Sequence, residues 1–341
     1  MALVSRIICA IAFASLASPA MAQDVIGPDA VDSETAGVIH GALEYLAAQQ
    51  GLDGSWTQAA GSEAYPVAMT GCALMAFMGS GNLPDEGEFA HNVTAGMQYL
   101  LDQIESNGLF RSVDQGRYMY SHGIATIALC ELYGQTRSPL LRQRLSLIVN
   151  AVISAQSPQG GWRYEPQSRD ADISVTVLQI AALRAAKNAG IEVPQVVIDR
   201  AIAFIGQCYN DSAGAFSYQP HGDVGFARTA AAIYSLQLCG LYDDPRVAKG
   251  SDYLFANDDE NDQWWPYGCS YAAPAQYMIG GDTWRRWYGE MKAKLLSSVI
   301  TDGNTSHWDD RAARELGPIY DTSVFATILA IPWHYIPLYQ R

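Results

Sequence analysis

A pair of aspartates at the start of an apolar segment is the first candidate for chemistry. Asp170 and Asp172 lie in GGWRYEPQSRDADISVT, residues 161–177, between a Gly-Gly-Trp turn and the apolar run that begins at Ile173. A carboxyl group in this position is a general acid if it faces a chamber, and a helix N-cap if it faces the backbone. Asp172 or Ser174 suits the N-cap of a helix beginning near Ile173. The sequence leaves both interpretations open.

The elements that must position these aspartates repeat along the chain with a period of about fifty residues. Each unit has an apolar helix, a loop with glycine and an aromatic residue, and a second helix rich in small residues. Apolar residues recur at helical spacing, and β-branched alternation is nearly absent. The pattern predicts an all-α fold of helical hairpins. The aromatic residues that anchor the loops are Trp56, Phe110, Trp162, Phe216, Trp264 and Trp308.

The end of the chain indicates whether these hairpins form an open array or a closed ring. An open solenoid needs a polar capping repeat at its end. The last segment, ATILAIPWHYIPLYQR at 326–341, is apolar almost to the terminus, which a ring would bury against the first unit. We therefore predict an (α/α) toroid of about five to six hairpins over residues 36–341, with the second helices inside.

The N-terminal residues have the features of an export signal. Arg6 precedes an apolar run from Ile7 to Leu16, and small residues lead to a cleavage site after Ala22. Residues 1–22 are thus predicted to be a signal peptide, and 23–35 a short segment before the toroid. No later stretch is long enough for a transmembrane anchor. The predicted location of the mature protein is periplasmic or secreted.

Composition and charge exclude several classes of partner. Hydrophobic residues make up 49% of the 341 residues and charged residues 16%, which indicates a globular protein. The formal net charge is −14 and the basic residues are scattered, which argues against nucleic acid as a partner. No Cys-x-x-Cys spacing occurs and the six histidines are dispersed, so no metal and no cofactor is predicted.

Polar and aromatic residues near the starts of the second helices are predicted to line the interior. An aromatic chamber can stabilise a cation, or bind a sugar or a lipid chain, whereas the same rings can also simply fill the core. The predicted ligand is a hydrophobic small molecule or a glycan, and a protein partner is a further alternative. The candidate lining residues are Tyr65, Tyr120, Thr176, Arg228, Tyr271, Tyr277, Tyr320 and Asp321.

Two of the loops resemble a known repeat. QQGLDGSW at 49–56 and AQSPQGGW at 155–162 each combine a glutamine, a glycine turn and a tryptophan before a second helix. This pattern resembles the QW repeat of the squalene–hopene cyclase and protein prenyltransferase superfamily. The resemblance implies a terpenoid-cyclase-like toroid, here a single-barrel exported bacterial member.

The aspartate pair resembles part of the cyclase motif. GGWRY followed by DADIS is similar to the Gly-Gly-aromatic and Asp-x-Asp-Asp segment of squalene–hopene-type cyclases, with Ile173 in place of the last aspartate. The resemblance implies that Asp172 is the general acid that protonates an alkene or epoxide, and that Asp170 is its hydrogen-bond partner. His122 is the candidate neighbour whose charge would change the strength of that acid. The chain lacks the Asp-x-Cys pair that a zinc prenyltransferase would need.

Three functions follow from these observations. The first is an exported terpenoid-cyclase-like toroid with a central aromatic cavity for a hydrophobic, isoprenoid-type ligand, in which the incomplete motif would initiate cyclisation. The second is a non-catalytic periplasmic binding or scaffold protein. The third is a polysaccharide-active toroid enzyme, which requires paired carboxylates about 5–10 Å apart. The sequence leaves open whether the protein is an enzyme.

Overall fold

The computed structural model describes residues 31–57, 65–111, 117–309 and 317–340. The predicted signal peptide, residues 1–22, lies outside the described residues. Twelve α-helices occur in the described part of the chain, and the all-α prediction is confirmed. They are α1 (Ser33–Gln49), α2 (Pro66–Gly79), α3 (Ala90–Asp102), α4 (Tyr118–Thr136), α5 (Pro139–Ser154), α6 (Ile173–Asn188), α7 (Gln195–Gln207), α8 (Phe226–Leu238), α9 (Pro245–Ala256), α10 (Trp265–Ile279), α11 (Gly281–Ser298) and α12 (Gly317–Ala330).

The helices form two concentric rings. The even-numbered helices pack side by side in the order α2, α4, α6, α8, α10 and α12, and α12 packs back against α2, which closes the inner ring. These helices are apolar on almost every face because they are buried on both sides. The odd-numbered helices are amphipathic and cover the ring from outside. The predicted toroid is confirmed, and the described helices pair into six hairpins.

The anchor aromatics join the two helices of a hairpin. The indole Nε1 of Trp162 donates to Val152 O in α5 at 2.8 Å, and its backbone N–H donates to Thr176 Oγ1 in α6 at 3.0 Å. Because Trp162 is fully buried, both donors need partners inside the protein. The backbone N–H of the anchor also donates to a threonine hydroxyl in the pairs Trp56–Thr70, Phe216–Thr229 and Trp308–Thr322.

The glutamines of the two tryptophan loops join one hairpin to the next. Gln50 Nε2 donates to Gly54 O at 2.9 Å in its own loop and to Asn92 O at 3.0 Å in α3. Gly54 has a φ of 88°, and a Cβ there would collide with Ala95 O of α3, so only glycine fits the turn. The same two glutamine bonds run from Gln156 to Gly160 O at 2.7 Å and to Val197 O at 2.8 Å.

Two smaller features complete the ring. A hairpin of β3 (Ile300–Asp302) and β4 (Thr305–His307) packs against α1, while β1 (Tyr209–Asn210) pairs with β2 (Ala215–Phe216). Residues 331–340, here called the C-terminal strap, contain the 3-10 turns Ile331–Trp333 and Pro337–Tyr339. The second turn contacts α6 and α10, so the strap crosses one end of the inner ring.

Among the described helices, none combines the length and the hydropathy that crossing a membrane requires.

Candidate functional site

The inner ring encloses a central cavity of about 570 Å³. Leu338 and Tyr339 of the strap close it at the C-terminal ends of the inner helices. At the opposite end, the exposed residues Arg117 and Trp264 mark the mouth. Apolar side chains form much of the wall: Ala68, Met69, Met75, Ile124, Ile127, Leu178, Ala181, Pro274, Val324, Ile328 and Ile331.

Tyrosines are the most numerous polar residues of the cavity wall. The Tyr120 and Tyr164 rings stack with centroids 5.8 Å apart, and the Tyr267 and Tyr271 rings meet edge to face at 4.9 Å. Burial raises the pKa of Tyr120, Tyr267 and Tyr271, so these phenols are neutral. In the described part of the chain, nine tyrosines line the cavity: Tyr65, Tyr120, Tyr164, Tyr218, Tyr234, Tyr267, Tyr271, Tyr320 and Tyr339.

Asp172 is the N-cap of α6 and is fully buried. Its Oδ1 accepts hydrogen bonds from Val175 N and Ser174 Oγ, both at 2.8 Å, and its Oδ2 accepts one from Arg163 Nη1 at 2.7 Å. Burial raises the pKa of the Asp172 carboxyl, and these three donors oppose the rise. The carboxylate lies behind the cavity wall, with both oxygens engaged.

Asp170 contacts the same arginine from the outer side. Its carboxylate is half exposed, with Oδ2 3.4 Å from Arg163 Nε and 3.4 Å from Gln219 Nε2. Arg163 therefore lies between Asp170 and Asp172. The guanidinium group of Arg163 also packs over the rings of Tyr164 and Tyr218, 4.4 and 5.4 Å from their centroids.

Two hydrogen-bonded chains connect Asp172 to the cavity. In the first, Tyr120 OH lies 2.6 Å from Ser174 Oγ, which donates to Asp172. In the second, Arg163 Nη1 donates to Tyr218 OH at 2.9 Å, and Tyr218 OH lies 2.5 Å from Tyr164 OH. The phenol oxygens therefore form the polar surface between Asp172 and the cavity.

His122 lies away from Asp172, in the contact between α4 and α5. Its ring packs edge-on against Phe110 and stacks on Tyr118, and its Nε2 lies 3.4 Å from Ile148 O. Complete burial lowers the pKa of His122 to about 4, so the imidazole is neutral at neutral pH.

The structure brings five of the predicted site residues to the cavity wall and places six behind it or elsewhere. Thr176 is turned toward Trp162 N, Tyr277 bonds His334 Nδ1 of the strap at 2.5 Å, and Asp321 is buried within α12. The residues at the wall are Tyr65, Tyr120, Arg228, Tyr271 and Tyr320. The others are Asp170, Asp172, His122, Thr176, Tyr277 and Asp321.

Comparison with known families identifies the fold. The family model of the prenyltransferase alpha-alpha toroid domain matches residues 4–101 and 85–264, which together cover most of the chain. The chain belongs to this family. The match confirms the resemblance to the terpenoid cyclase and prenyltransferase superfamily. No curated protein matches this toroid protein.

Solved structures similar to this toroid protein include enzymes with two different substrates. One is an inactive variant of the α-1,6-mannanase GH76A of Salegentibacter sp. in complex with α-1,6-mannotriose. The two structures match with a TM-score of 0.64 at 9% identity, over 88% of this chain and 99% of the mannanase chain. The type II terpene cyclase MstE from Scytonema has a TM-score of 0.58 at 13% identity and covers 89% and 99%. At these identities the likeness concerns the fold alone.

Several residues at or near the cavity were not predicted from the sequence of this toroid protein. Tyr164 and Tyr218 each follow an anchor aromatic, Trp162 or Phe216, by two residues, so a repeat alignment could have found them. Arg163, between Trp162 and Tyr164, belongs to the same signal. Glu131 is a charged residue within the apolar helix α4 and is 2% exposed. It lies beneath the strap, and burial raises its pKa to about 8.

One group of possible metal ligands lies on the outer surface. His40, Glu44 and Glu88 each offer a ligand atom, and these atoms lie within 4.8 Å of one another. His40 Nε2 and Glu88 Oε2 form an exposed ion pair at 3.0 Å, which accounts for their proximity. The group is outside the cavity and contributes nothing to its chemistry.

Proposed function

We propose that this toroid protein binds a hydrophobic, isoprenoid-type molecule in its central cavity. The observation that carries the proposal is the cavity itself: about 570 Å³, with an apolar wall, aromatic rings and a closed end. Pockets of this size and composition bury small organic ligands. Transfer of an apolar chain from water to such a wall is favourable, and its weakly polar alkenes contact the tyrosine rings. The protein acts after export, as one toroid domain over 36–341 that follows the predicted signal peptide.

The proposed role is binding rather than acid-initiated cyclisation. Protonation of an alkene needs a strong acid in contact with the substrate, because an alkene is a very weak base. Asp172 accepts three hydrogen bonds and is separated from the cavity by Ser174 and Tyr120. The groups that meet a ligand there are phenols, which are far weaker acids than a carboxyl group. These contacts favour a positioning role for Asp172.

Glycan binding is the second candidate. It is favoured by the aromatic mouth, where Trp264 is 41% exposed, and by the likeness to α-1,6-mannanases. Hydrolysis by the usual mechanism requires two carboxyl groups about 5–10 Å apart. No aspartate or glutamate lines the cavity among the residues that the structure describes. The described residues therefore suit retention of a glycan better than its cleavage.

The proposal is tested by filling the cavity. Ala181 contributes its methyl group to the cavity wall from α6, while Ala248 is exposed on α9. We expect Ala181→Phe to weaken binding of geranylgeraniol at least about tenfold, because the ring occupies the space of the ligand. Ala248→Phe adds the same group outside the cavity and is expected to leave binding unchanged. Calorimetric titration measures both, and thermal unfolding checks that both variants fold.

The same titration decides between the two candidates. Geranylgeraniol and α-1,6-mannotriose are compared on the wild-type protein, beside mass spectrometry of an organic extract of the purified protein. Binding of the isoprenoid alone, weakened by Ala181→Phe, supports the proposal. Binding of mannotriose alone would replace it with glycan recognition. If the Ala181→Phe and Ala248→Phe variants bind geranylgeraniol with equal affinity, the binding site lies outside the cavity.

A further inference from the structure

We infer that the cavity recognises a hydroxyl group of its ligand, an alcohol or a phenol, at the site formed by Tyr120, Tyr164 and Tyr218. The inference rests on the proposed function and adds the functional group that the ligand must carry. It follows from the directions of the hydrogen bonds that connect these tyrosines to the buried Asp172 carboxylate and to the partly exposed Arg163 guanidinium group.

Tyr120 faces the cavity as a hydrogen-bond acceptor. Ser174 has one hydroxyl proton, and it donates that proton to Asp172 Oδ1 at 2.8 Å. In the 2.6 Å contact between Tyr120 OH and Ser174 Oγ, the proton must therefore come from Tyr120. The phenol proton is committed to the wall, and only the lone pairs of Tyr120 OH remain for a ligand in the cavity.

Tyr164 and Tyr218 together face the cavity as a donor. The guanidinium group of Arg163 can only donate hydrogen bonds, and its Nη1 donates to Tyr218 OH at 2.9 Å. The two phenols share one mutual hydrogen bond at 2.5 Å, which uses one of their two protons. The other O–H remains for a ligand, whichever of the two rings carries it.

The acceptor and the donor lie side by side. The Tyr120 and Tyr164 rings are stacked with centroids 5.8 Å apart and an interplanar angle of 29°, and both line the cavity. A hydroxyl group can donate to Tyr120 and accept from the Tyr164–Tyr218 pair at the same time. An ether or ketone can only accept, and a hydrocarbon can do neither. Buried polar atoms left without partners make such analogues bind more weakly.

The test compares three ligands with one carbon chain: geranylgeraniol, its methyl ether and the corresponding hydrocarbon. On the wild-type protein we expect the alcohol to bind about tenfold more tightly than the ether, and the ether more tightly than the hydrocarbon. Tyr120→Phe removes the acceptor. The affinity for the alcohol should therefore fall to the affinity for the ether, while the affinity for the ether stays the same. Tyr253→Phe, on the outer helix α9 and outside the cavity wall, is the matched control, and it should preserve the wild-type ratio.

A second variant tests the direction of the bonds. Ser174→Ala removes the group that holds the Tyr120 proton, so this phenol can donate into the cavity. We expect the ether to gain affinity relative to the alcohol in this variant. Circular dichroism and thermal unfolding verify that each variant folds.

The failure of this inference differs from the failure of the proposed function. If all three ligands bind equally well, the hydroxyl site is overturned while isoprenoid binding stands. If the alcohol is preferred but Tyr120→Phe leaves the preference intact, the hydroxyl group is recognised by other residues, and the inference about the tyrosine site is again overturned. If none of the three binds, the proposed function itself fails.

Discussion

At the scale of single residues, Asp172 is a buried carboxylate that caps a helix and pairs with the partly exposed Arg163. We expect Asp172→Ala to lower the free energy of unfolding by about 2–4 kcal/mol, because it removes the cap of α6 and leaves Arg163 without its buried partner. Asp170 contacts the same arginine from a half-exposed position, so Asp170→Ala should cost less than about 1 kcal/mol. Urea unfolding of the two variants measures both values. Equal losses would contradict the assigned role of Asp172.

Glu131 predicts a second residue-scale effect, on the pH dependence of stability. Burial raises the pKa of the Glu131 carboxyl from 4.5 to about 8, so the folded protein holds a proton that the unfolded chain releases. Its contribution to stability is complete below pH 4.5 and is lost as the pH rises toward 8. The glutamine of Glu131→Gln cannot ionise. The free energy of unfolding of this variant should therefore rise relative to that of the wild type over this interval, by an amount of the order of 3 kcal/mol at the upper end.

Urea unfolding at a series of pH values checks this prediction. Glu105 is exposed, and in Glu105→Gln the free energy of unfolding should change with pH as it does in the wild type. A parallel course of the Glu131→Gln and wild-type curves between pH 5 and 8 would show that Glu131 is solvated beneath the strap.

At the scale of elements, an anchor aromatic and an inner-helix threonine form the joint of four of the described hairpins. Thr176→Val keeps the shape of the side chain but removes the acceptor of the buried Trp162 N–H. We expect a loss of about 1–3 kcal/mol, the cost of a buried donor without a partner. Thr176→Ser keeps the hydroxyl group and should lose clearly less. Thermal unfolding compares the two, and the opposite order would mean that the methyl group matters more than the hydrogen bond.

The joint also shows how far the sequence could predict this structure. The helices, their pairing and the ring follow from apolar periodicity and from glycine–aromatic loops that recur about every fifty residues. The orientation of single polar side chains does not, because it depends on which buried donors need partners. Thr176 was predicted to face the ligand and instead accepts from Trp162 N. Tyr164 and Tyr218 lie in loops, where helical periodicity gives no direction.

At the scale of the whole molecule, the ring is closed where the first and last hairpins meet. α12 packs against α1 and α2, and the β3–β4 hairpin covers α1. Lys292 of α11 donates to Asp32, the N-cap of α1, at 3.0 Å. The closure gives the cavity a continuous wall, since an open array of the same hairpins would expose one side of it. The stability of this contact is therefore a condition for the proposed ligand binding.

Two glycines of α1 test the closure directly. A Cβ on Gly41 would lie 2.7 Å from Ser306 Oγ and 3.0 Å from Asn304 O, so α1 approaches the β3–β4 hairpin too closely for any side chain. Gly37, one turn earlier on the same helix, is exposed with nothing within 4 Å of its Cβ position. We expect Gly41→Ala to cost about 1–3 kcal/mol by steric overlap, and Gly37→Ala to add about 0.5–1 kcal/mol through helix propensity. Urea unfolding gives both values, and a ring that is open in solution would show the same gain for both variants.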